Sequence, residues 1–244
     1  MTRVDAAELR DRRSRREKSP PVGDRAAKDA LYEALAGVAK AIGSGRRAEI
    51  VDVLAQGERS VDEIAGEIGQ SVANTSHHLQ TLAGARLVRT RREGTRIWYS
   101  LASDQVAQLW GAVRDVAAEH VAEVERLTAA YLGERDGLEP VSRRELAARL
   151  AAGDVTVIDV RPAPEYEAAH VVGAMSIPIA ELEGRLEALP SDSEVVAYCR
   201  GPLCVYADDA VRLLRGRGVD ARRLEDGFPE WNRAGLPIAV GERR

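Results

Sequence analysis

The hydrophobic period of this chain changes once, across the polar stretch Gly133 to Pro140, and no single layered core accommodates the patterns on both sides. Before it, apolar residues recur every three or four positions, as on amphipathic helices. Beyond it, short β-branched runs alternate with helical patterns. At 244 residues the chain also exceeds the usual span of one domain, about 100–200 residues. We therefore expect two domains, over residues 26–132 and 141–240, joined by a linker at 133–140. Aromatic residues are only 4%, with a single Phe, so both cores must be built from Ala, Val, Leu and Ile.

Several classes are excluded early. No apolar run approaches the roughly 18 residues of a membrane helix, and the charged N-terminus lacks the apolar core of a signal peptide. The only cysteines are Cys199 and Cys204, too few for a disulfide-built secreted domain, so a reducing cytoplasm is expected. Nothing in the pattern calls for a cofactor or a metal. The net charge of −4 is uneven: residues 1–28 carry +4, residues 29–103 balance, and the acidity lies beyond. Global acidity argues against indiscriminate polyanion binding, but a local basic face can still hold DNA. Residues 1–25, with the run Arg10 to Arg16 and then Ser19-Pro20-Pro21, read as a disordered basic arm, either solvated or tracking DNA.

Helical signals fill residues 26–132, interrupted by one β-ribbon. Leu31, Leu35, Val38 and Ile42 mark a first helix, closed by Gly43-Ser44-Gly45, and Ile50 to Leu54 a second, ended by Gly57. Ser60 with Glu63 forms a capping-box pattern opening a short helix, Gly69-Gln70 makes a turn, and Ser71 caps the next helix. Leu87 to Arg91 and Arg96 to Leu101 then flank a hairpin turn. One continuous helix is expected from Ser103 to Tyr131, with an apolar stripe wide enough to need a second copy of the chain. Two helices across a tight turn followed by a basic hairpin make a mainly α winged helix-turn-helix. Its candidate DNA readers are Ser71, Asn74, Thr75, Ser76, His77 and Gln80, with Arg89, Arg91, Arg92 and Arg96 on the wing for phosphates or the minor groove. His78, beside Leu79 and Leu82, reads as a packed, hydrogen-bonded residue. A winged helix that binds protein, with a solvated arginine face, is the alternative.

These residues resemble the ArsR family of bacterial repressors. The resemblance lies in Ser60 to Ala65, in Ser76-His77-His78-Leu79-Gln80-Thr81-Leu82, and in Glu93 to Leu101. It implies a homodimer joined through the first and last helices, on a two-fold symmetric double-stranded operator with half-sites about one DNA turn apart. The family's metal-sensing positions are not matched. No cysteine precedes residue 199, and the last helix offers only His120 and Glu123.

In the second half, Val155 to Val160 and Glu194 to Tyr198 read as buried strands, with helical patterns at 142–152, 180–188 and 205–217: an α/β layout around a central parallel sheet. Cys199 stands at the carboxyl end of the second strand, and a helix begins near Val205. The intervening loop, Arg200, Gly201, Pro202, Leu203, Cys204 and Val205, can curl its N–H groups around the sulfur. Such a cradle lowers the thiol pKa, makes Cys199 a nucleophile and would hold the outer sulfur of a persulfide. Gly201, Leu203 and Cys204 are the expected donors, since Pro202 has none. Phosphate ester hydrolysis would want an arginine where Val205 stands.

Asp159-Val160-Arg161, Glu165-Tyr166, His170 to Ala174, and Leu224 to Trp231 with Gly235-Leu236-Pro237 resemble the rhodanese (sulfurtransferase) domain. The resemblance implies that Cys199 is catalytic. It would take sulfane sulfur from thiosulfate, a persulfide or a polysulfide and pass it to a thiol acceptor. Thiosulfate-using members often close the loop with a basic residue, and Cys204 in that place favours persulfide or polysulfide donors. Asp159 and Arg161 are read as loop support through an ion pair, with a catalytic part as the alternative. Arg200 either meets an anionic donor or is merely exposed. Cys204 is a resolving or sensing thiol able to attack a Cys199 persulfide, unless the loop holds the sulfurs apart. Two functions follow: a regulator whose DNA affinity answers to sulfur on Cys199, or a sulfurtransferase with an uncoupled DNA-binding domain.

Overall fold

The computed structural model describes residues 23–135, 137–190 and 193–241, so the expected basic arm lies, up to residue 22, outside the described residues. The first helix, α1 (Arg25–Ile42), begins where the Asp24 carboxylate accepts the Ala26 N–H at 3.1 Å. It is followed by α2 (Gly45–Leu54), the short strand β1 (Arg59–Ser60), α3 (Val61–Glu67) and α4 (Val72–Gly84). The capping box forms at α3: Ser60 Oγ accepts the Glu63 N–H, and the Glu63 carboxylate accepts the Ser60 N–H at 2.8 Å. Gly69, at φ +60°, makes the left-handed turn between α3 and α4, and Ser71 Oγ caps α4 through the Asn74 N–H. The wing pairs β2 (Val88–Glu93) with β3 (Arg96–Leu101) antiparallel, from Val88↔Leu101 to Glu93↔Arg96, and β1 adds to the far edge of β3. Ile50, Val51, Ile64, Leu79 and Leu82 are the buried centre of this half.

The expected continuous helix from Ser103 to Tyr131 is two helices, α5 (Asp104–His120) and α6 (Ala122–Leu132). Val121 leaves the helical region at φ −115°, ψ 92°, and its 46% exposure means that no packing holds it in line. Its N–H still bonds to Ala117 and its carbonyl accepts from Val124. The apolar period therefore runs nearly unbroken through a kink that periodicity cannot report.

Residues expected in the linker already belong to the second half: Leu138 is buried in its core and Pro140–Val141 is its first strand, β4. There follow α7 (Arg143–Ala152), β5 (Thr156–Asp159), α8 (Ala163–Ala168), β6 (His170–Val171) and β7 (Met175–Ser176). The pattern at 180–188 forms as 3-10 helix over Ile179–Ala188, and β8 (Val195–Tyr198), α9 (Tyr206–Gly216), β9 (Ala221–Leu224), α10 (Phe228–Arg233) and β10 (Ile238–Ala239) complete the chain. The central sheet has the order β4-β9-β8-β5-β7, with every pair parallel. Alternation along β8 sends Val195, Ala197 and then Cys199 to the face covered by α9, and Val196 and Tyr198 to the face covered by Trp231 and Phe228. Among the described residues no helix is long and apolar enough to cross a membrane.

One charged pair sits inside this core. Arg161, 0% exposed, donates Nε to Asp159 Oδ1 at 3.0 Å, Nη2 to Asp159 Oδ2 at 2.6 Å and Nη2 to the Ala169 carbonyl at 2.8 Å. The Tyr198 hydroxyl donates to Asp159 Oδ2 at 2.6 Å and accepts the Val171 N–H at 3.1 Å. Removing one partner leaves a buried charge uncompensated. Asp159→Ala is therefore expected to lower unfolding stability by about 3–5 kcal/mol, measured as a lower urea midpoint at unchanged m-value.

Candidate functional site at the cysteine loop and the DNA-facing surface

The strand β8 delivers Cys199 to the end of the sheet, and the loop after it is pinned from below. The Phe228 N–H donates to the Cys199 carbonyl at 3.0 Å, and a Cβ on Gly227 would lie 2.2 Å from the Gly201 nitrogen. Only glycine at 227 lets the two backbones cross this closely. Cys199 is 2% exposed and its thiol is turned toward the carbonyls of Gly201 at 3.9 Å and Cys204 at 3.7 Å. Cys204 is half-buried, and both cysteines are free thiols.

The cradle differs from expectation in three respects. Burial pushes the Cys199 thiol well up, and the neighbouring Cys204 adds to that, so the lowered pKa expected of Cys199 is not found. Instead Cys204 is lowered to about 7, first by a hydrogen bond from the Cys199 thiol and then, against burial, by the N–H groups of Tyr206 and Arg200. The Cys204 N–H, expected to donate to sulfur, bonds to the Gly201 carbonyl at 3.0 Å, while the N–H groups of Gly201 and Ala207 face Cys199. Leu203 is exposed, the Pro202 carbonyl accepts from Arg135, and Val205 stands at the cap of α9.

Arg200 is the third difference: its side chain is spent on two carboxylates. It donates Nε to Glu165 Oε1 at 2.9 Å and Nη2 to the same oxygen at 2.5 Å. Nη1 reaches Glu67 Oε2, on α3 of the other half, at 2.6 Å. Arg59 completes an alternating chain of charges by donating to Glu165 Oε1 at 2.5 Å. Gln56, 2% exposed, donates Nε2 to the Arg200 carbonyl at 3.1 Å and accepts Arg161 Nη1 at 3.2 Å. Sequence reading missed Gln56, Arg59, Glu67 and Glu165 at this site, because nothing in the pattern of one half announces contact with the other.

Further along the interface, Arg114 of α5 pairs with Glu230 of α10, and a Cβ on Gly111 would overlap the Arg233 guanidinium. A cavity of about 250 Å³ opens beside the loop between the two halves, its wall including Glu49, Asp52, Glu67, Arg200, Leu203 and Cys204. A cleft of about 310 Å³ on the other side of Gln56 contains no thiol.

On the helix-turn-helix, Ser71, Asn74, His77 and Gln80 are exposed along one stripe of α4 and Ser76 is half-exposed. Thr75, expected among the readers, is fully buried: it lies one position off that stripe, on the turn that faces Leu79. His78 is half-buried as expected, but its Nδ1 is buried with no hydrogen-bond partner among the described residues. Arg89, Arg92 and Arg96 are exposed on the wing. Arg91 is already engaged, with Glu58 at 2.7 Å and Glu93 at 2.9 Å, which leaves it little free charge for a phosphate.

Residues 44–90 match the model of the ArsR family of bacterial regulatory proteins, and residues 142–234 match the rhodanese-like domain model. The chain is 48% identical over 214 residues to the HTH-type transcriptional regulator Rv0324 of Mycobacterium tuberculosis, covering 88% of this chain and 94% of that protein. A protein of Allochromatium vinosum named sulfurtransferase is 31% identical over 103 residues, 42% of this chain and 95% of that one. The solution structure of the homodimeric winged helix-turn-helix DNA-binding domain Mb0332 from Mycobacterium bovis is 44% identical. It covers 43% of this chain and 95% of that fragment, with a TM-score of 0.39. The chain thus belongs to the ArsR family of bacterial winged helix-turn-helix transcriptional regulators and carries a rhodanese-like domain after its DNA-binding half.

Proposed function

We propose that this protein is a homodimeric cytoplasmic repressor whose Cys199 carries sulfane sulfur as a persulfide, and that this sulfur changes its affinity for operator DNA. One observation supports the coupling above all: the residue next to Cys199 is held by the DNA-binding half. Arg200 bonds through its side chain to Glu67 on α3 and through its carbonyl to Gln56, and α3 leads directly into the recognition helix α4. The loop cannot yield toward Gly227, where the backbones are already in contact, nor into the core beneath Cys199. An added sulfur therefore pushes the loop toward the Arg200–Glu67 pair.

Residues 26–132 serve as the dimerisation and DNA-binding unit, 138–240 as the sulfur unit, and the short stretch between them as the joint. A second copy covers the exposed apolar residues Leu31, Tyr32 and Leu35 of α1 with Val113, Val116 and Leu127 of α5 and α6. In that dimer Ser71, Asn74, Ser76, His77 and Gln80 enter the major groove, and Arg89, Arg92 and Arg96 track phosphates. The sulfur donor is a persulfide or polysulfide and the acceptor a thiol. Asp159 and Arg161 brace the strand end under the loop.

Fluorescence anisotropy on the chain's own promoter fragment, at fixed salt, tests the coupling. Polysulfide treatment is expected to shift operator affinity by about 5–150-fold, the usual range of allosteric coupling, and Cys199→Ser to abolish the shift. Equal affinities with sulfur verified on Cys199 by mass spectrometry would leave an uncoupled sulfurtransferase. In Glu67→Gln the ratio of treated to untreated affinity is expected to fall toward one. A salt titration separates the wing arginines: Arg92→Ala should reduce the slope of log affinity against log salt by about 1. Arg91→Ala should change it by less.

A further inference from the structure

We propose that Cys204 is the entry thiol of a two-cysteine relay: Cys204, and not Cys199, makes the first bond to incoming sulfane sulfur, then hands that sulfur to Cys199. The proposal rests on the sulfur-carrying reading above and reverses the order that the position of Cys199 at the strand end suggests. Its basis is access. The cavity between the two halves reaches Cys204, whereas Cys199 is not part of its wall and is 2% exposed beneath the loop. The Cys199 thiol points at the carbonyls of Gly201 and Cys204. A nucleophile must approach the donor's S–S bond end-on, and Cys204 is the thiol that lines the cavity. The neighbouring Cys199 lowers the Cys204 thiol to about 7, which favours the thiolate on the more accessible member of the pair.

The relay balances as two displacements. In the first, the Cys204 thiolate attacks the outer sulfur of a persulfide R–S–S–H. A new S–S bond forms on Cys204, the donor's S–S bond breaks, and its electron pair leaves on R–S⁻. In the second, the Cys199 sulfur attacks the outer sulfur of the Cys204 persulfide. The Cys204–sulfur bond breaks, the Cys199 proton passes to the departing Cys204 sulfur, and the persulfide now sits on Cys199, facing the N–H groups of Gly201 and Ala207. Sulfane sulfur is transferred at each step and no external oxidant is consumed.

The test uses the full chain, a limiting amount of cysteine persulfide, rapid quenching with iodoacetamide and mass spectrometry of the loop peptide. Sulfur is expected on Cys204 at the earliest times and on Cys199 later. Cys199→Ser should stop at the Cys204 persulfide, and Cys204→Ser should lose the fast phase of uptake at Cys199. A reading that needs no variant is iodoacetamide alone on the unmodified chain. Cys204 should alkylate before Cys199, with a rate that rises with pH through about 7 as its thiolate forms. Sulfur arriving on Cys199 in Cys204→Ser at the unmodified rate would overturn the relay and spare the sulfur-carrying reading. No sulfur on either cysteine, with Cys204 still alkylated first, would overturn both.

Discussion

The guanidinium of Arg161 is wholly inside the protein, and a buried cation is tolerated only when its donors are met. Asp159 takes two of them, and the Ala169 carbonyl shares one, which fastens the end of β5 to the turn before β6. Phe228 lies under the guanidinium plane, its ring centroid 4.4 Å away, and brings the start of α10 to the same point. The remaining arm, Nη1, is met by Gln56, which comes from the DNA-binding half of the chain. Parting the two halves thus exposes a buried charge network to incomplete pairing unless water replaces Gln56 at once. The halves are joined mainly by such polar contacts, the kind of intrachain interface that permits relative movement at modest cost.

The same economy of donors governs the cysteine loop. Gln56 offers one amide with two ends: its carbonyl end accepts Arg161, and its amino end holds the Arg200 carbonyl. The loop main chain and the buried arginine are therefore positioned by a single side chain of the other half. Arg200 is committed in the same sense, its guanidinium shared between Glu165 beside it and Glu67 across the interface. These contacts are short-ranged and directional, so a displacement of the loop by the width of a sulfur atom breaks them outright. A packed apolar contact would instead deform gradually. That is the property a two-state element requires.

Much of this was legible from local pattern. The Ser60–Glu63 capping box, the Ser71 cap, the Gly69 turn and the wing hairpin are short-range chemistry, and they form where the residues predict. The strands at 156–159 and 195–198 are equally explicit, because buried parallel strands read as β-branched runs. The strand Ala221–Leu224 escaped because its middle residues are Arg222 and Arg223, which answer to Glu194, Glu145 and Asp208 rather than to an apolar layer. Thr75 departs from its expected place because polar identity alone does not tell which side of a helix a residue occupies. The lowered thiol is Cys204 and not the expected Cys199 for a related reason. A cradle of N–H groups is a property of the loop sequence, whereas the burial that opposes it is set by α9 and the sheet.

The charge around the loop bears on which sulfur compounds it can meet. Neither guanidinium near the cavity is free: Arg200 is divided between two glutamates, and Arg114 lies between Glu230 and, at 3.5 Å, Asp52. Glu49 and Asp52 add carboxylates to the wall, so a dianion entering the cavity finds negative charge and no unpaired cation. Val205 holds the place where a phosphate-cleaving loop would carry arginine. Phosphate esters need that cation to offset their charge as the phosphorus centre is attacked, and the basic residue expected to close the loop around thiosulfate is replaced by Cys204. In the proposed function, the outer sulfur of a persulfide would reach Cys204 without first displacing a glutamate from Arg200. The contacts that bind the loop to the DNA-binding half are therefore the same ones that occupy the guanidinium beside Cys204.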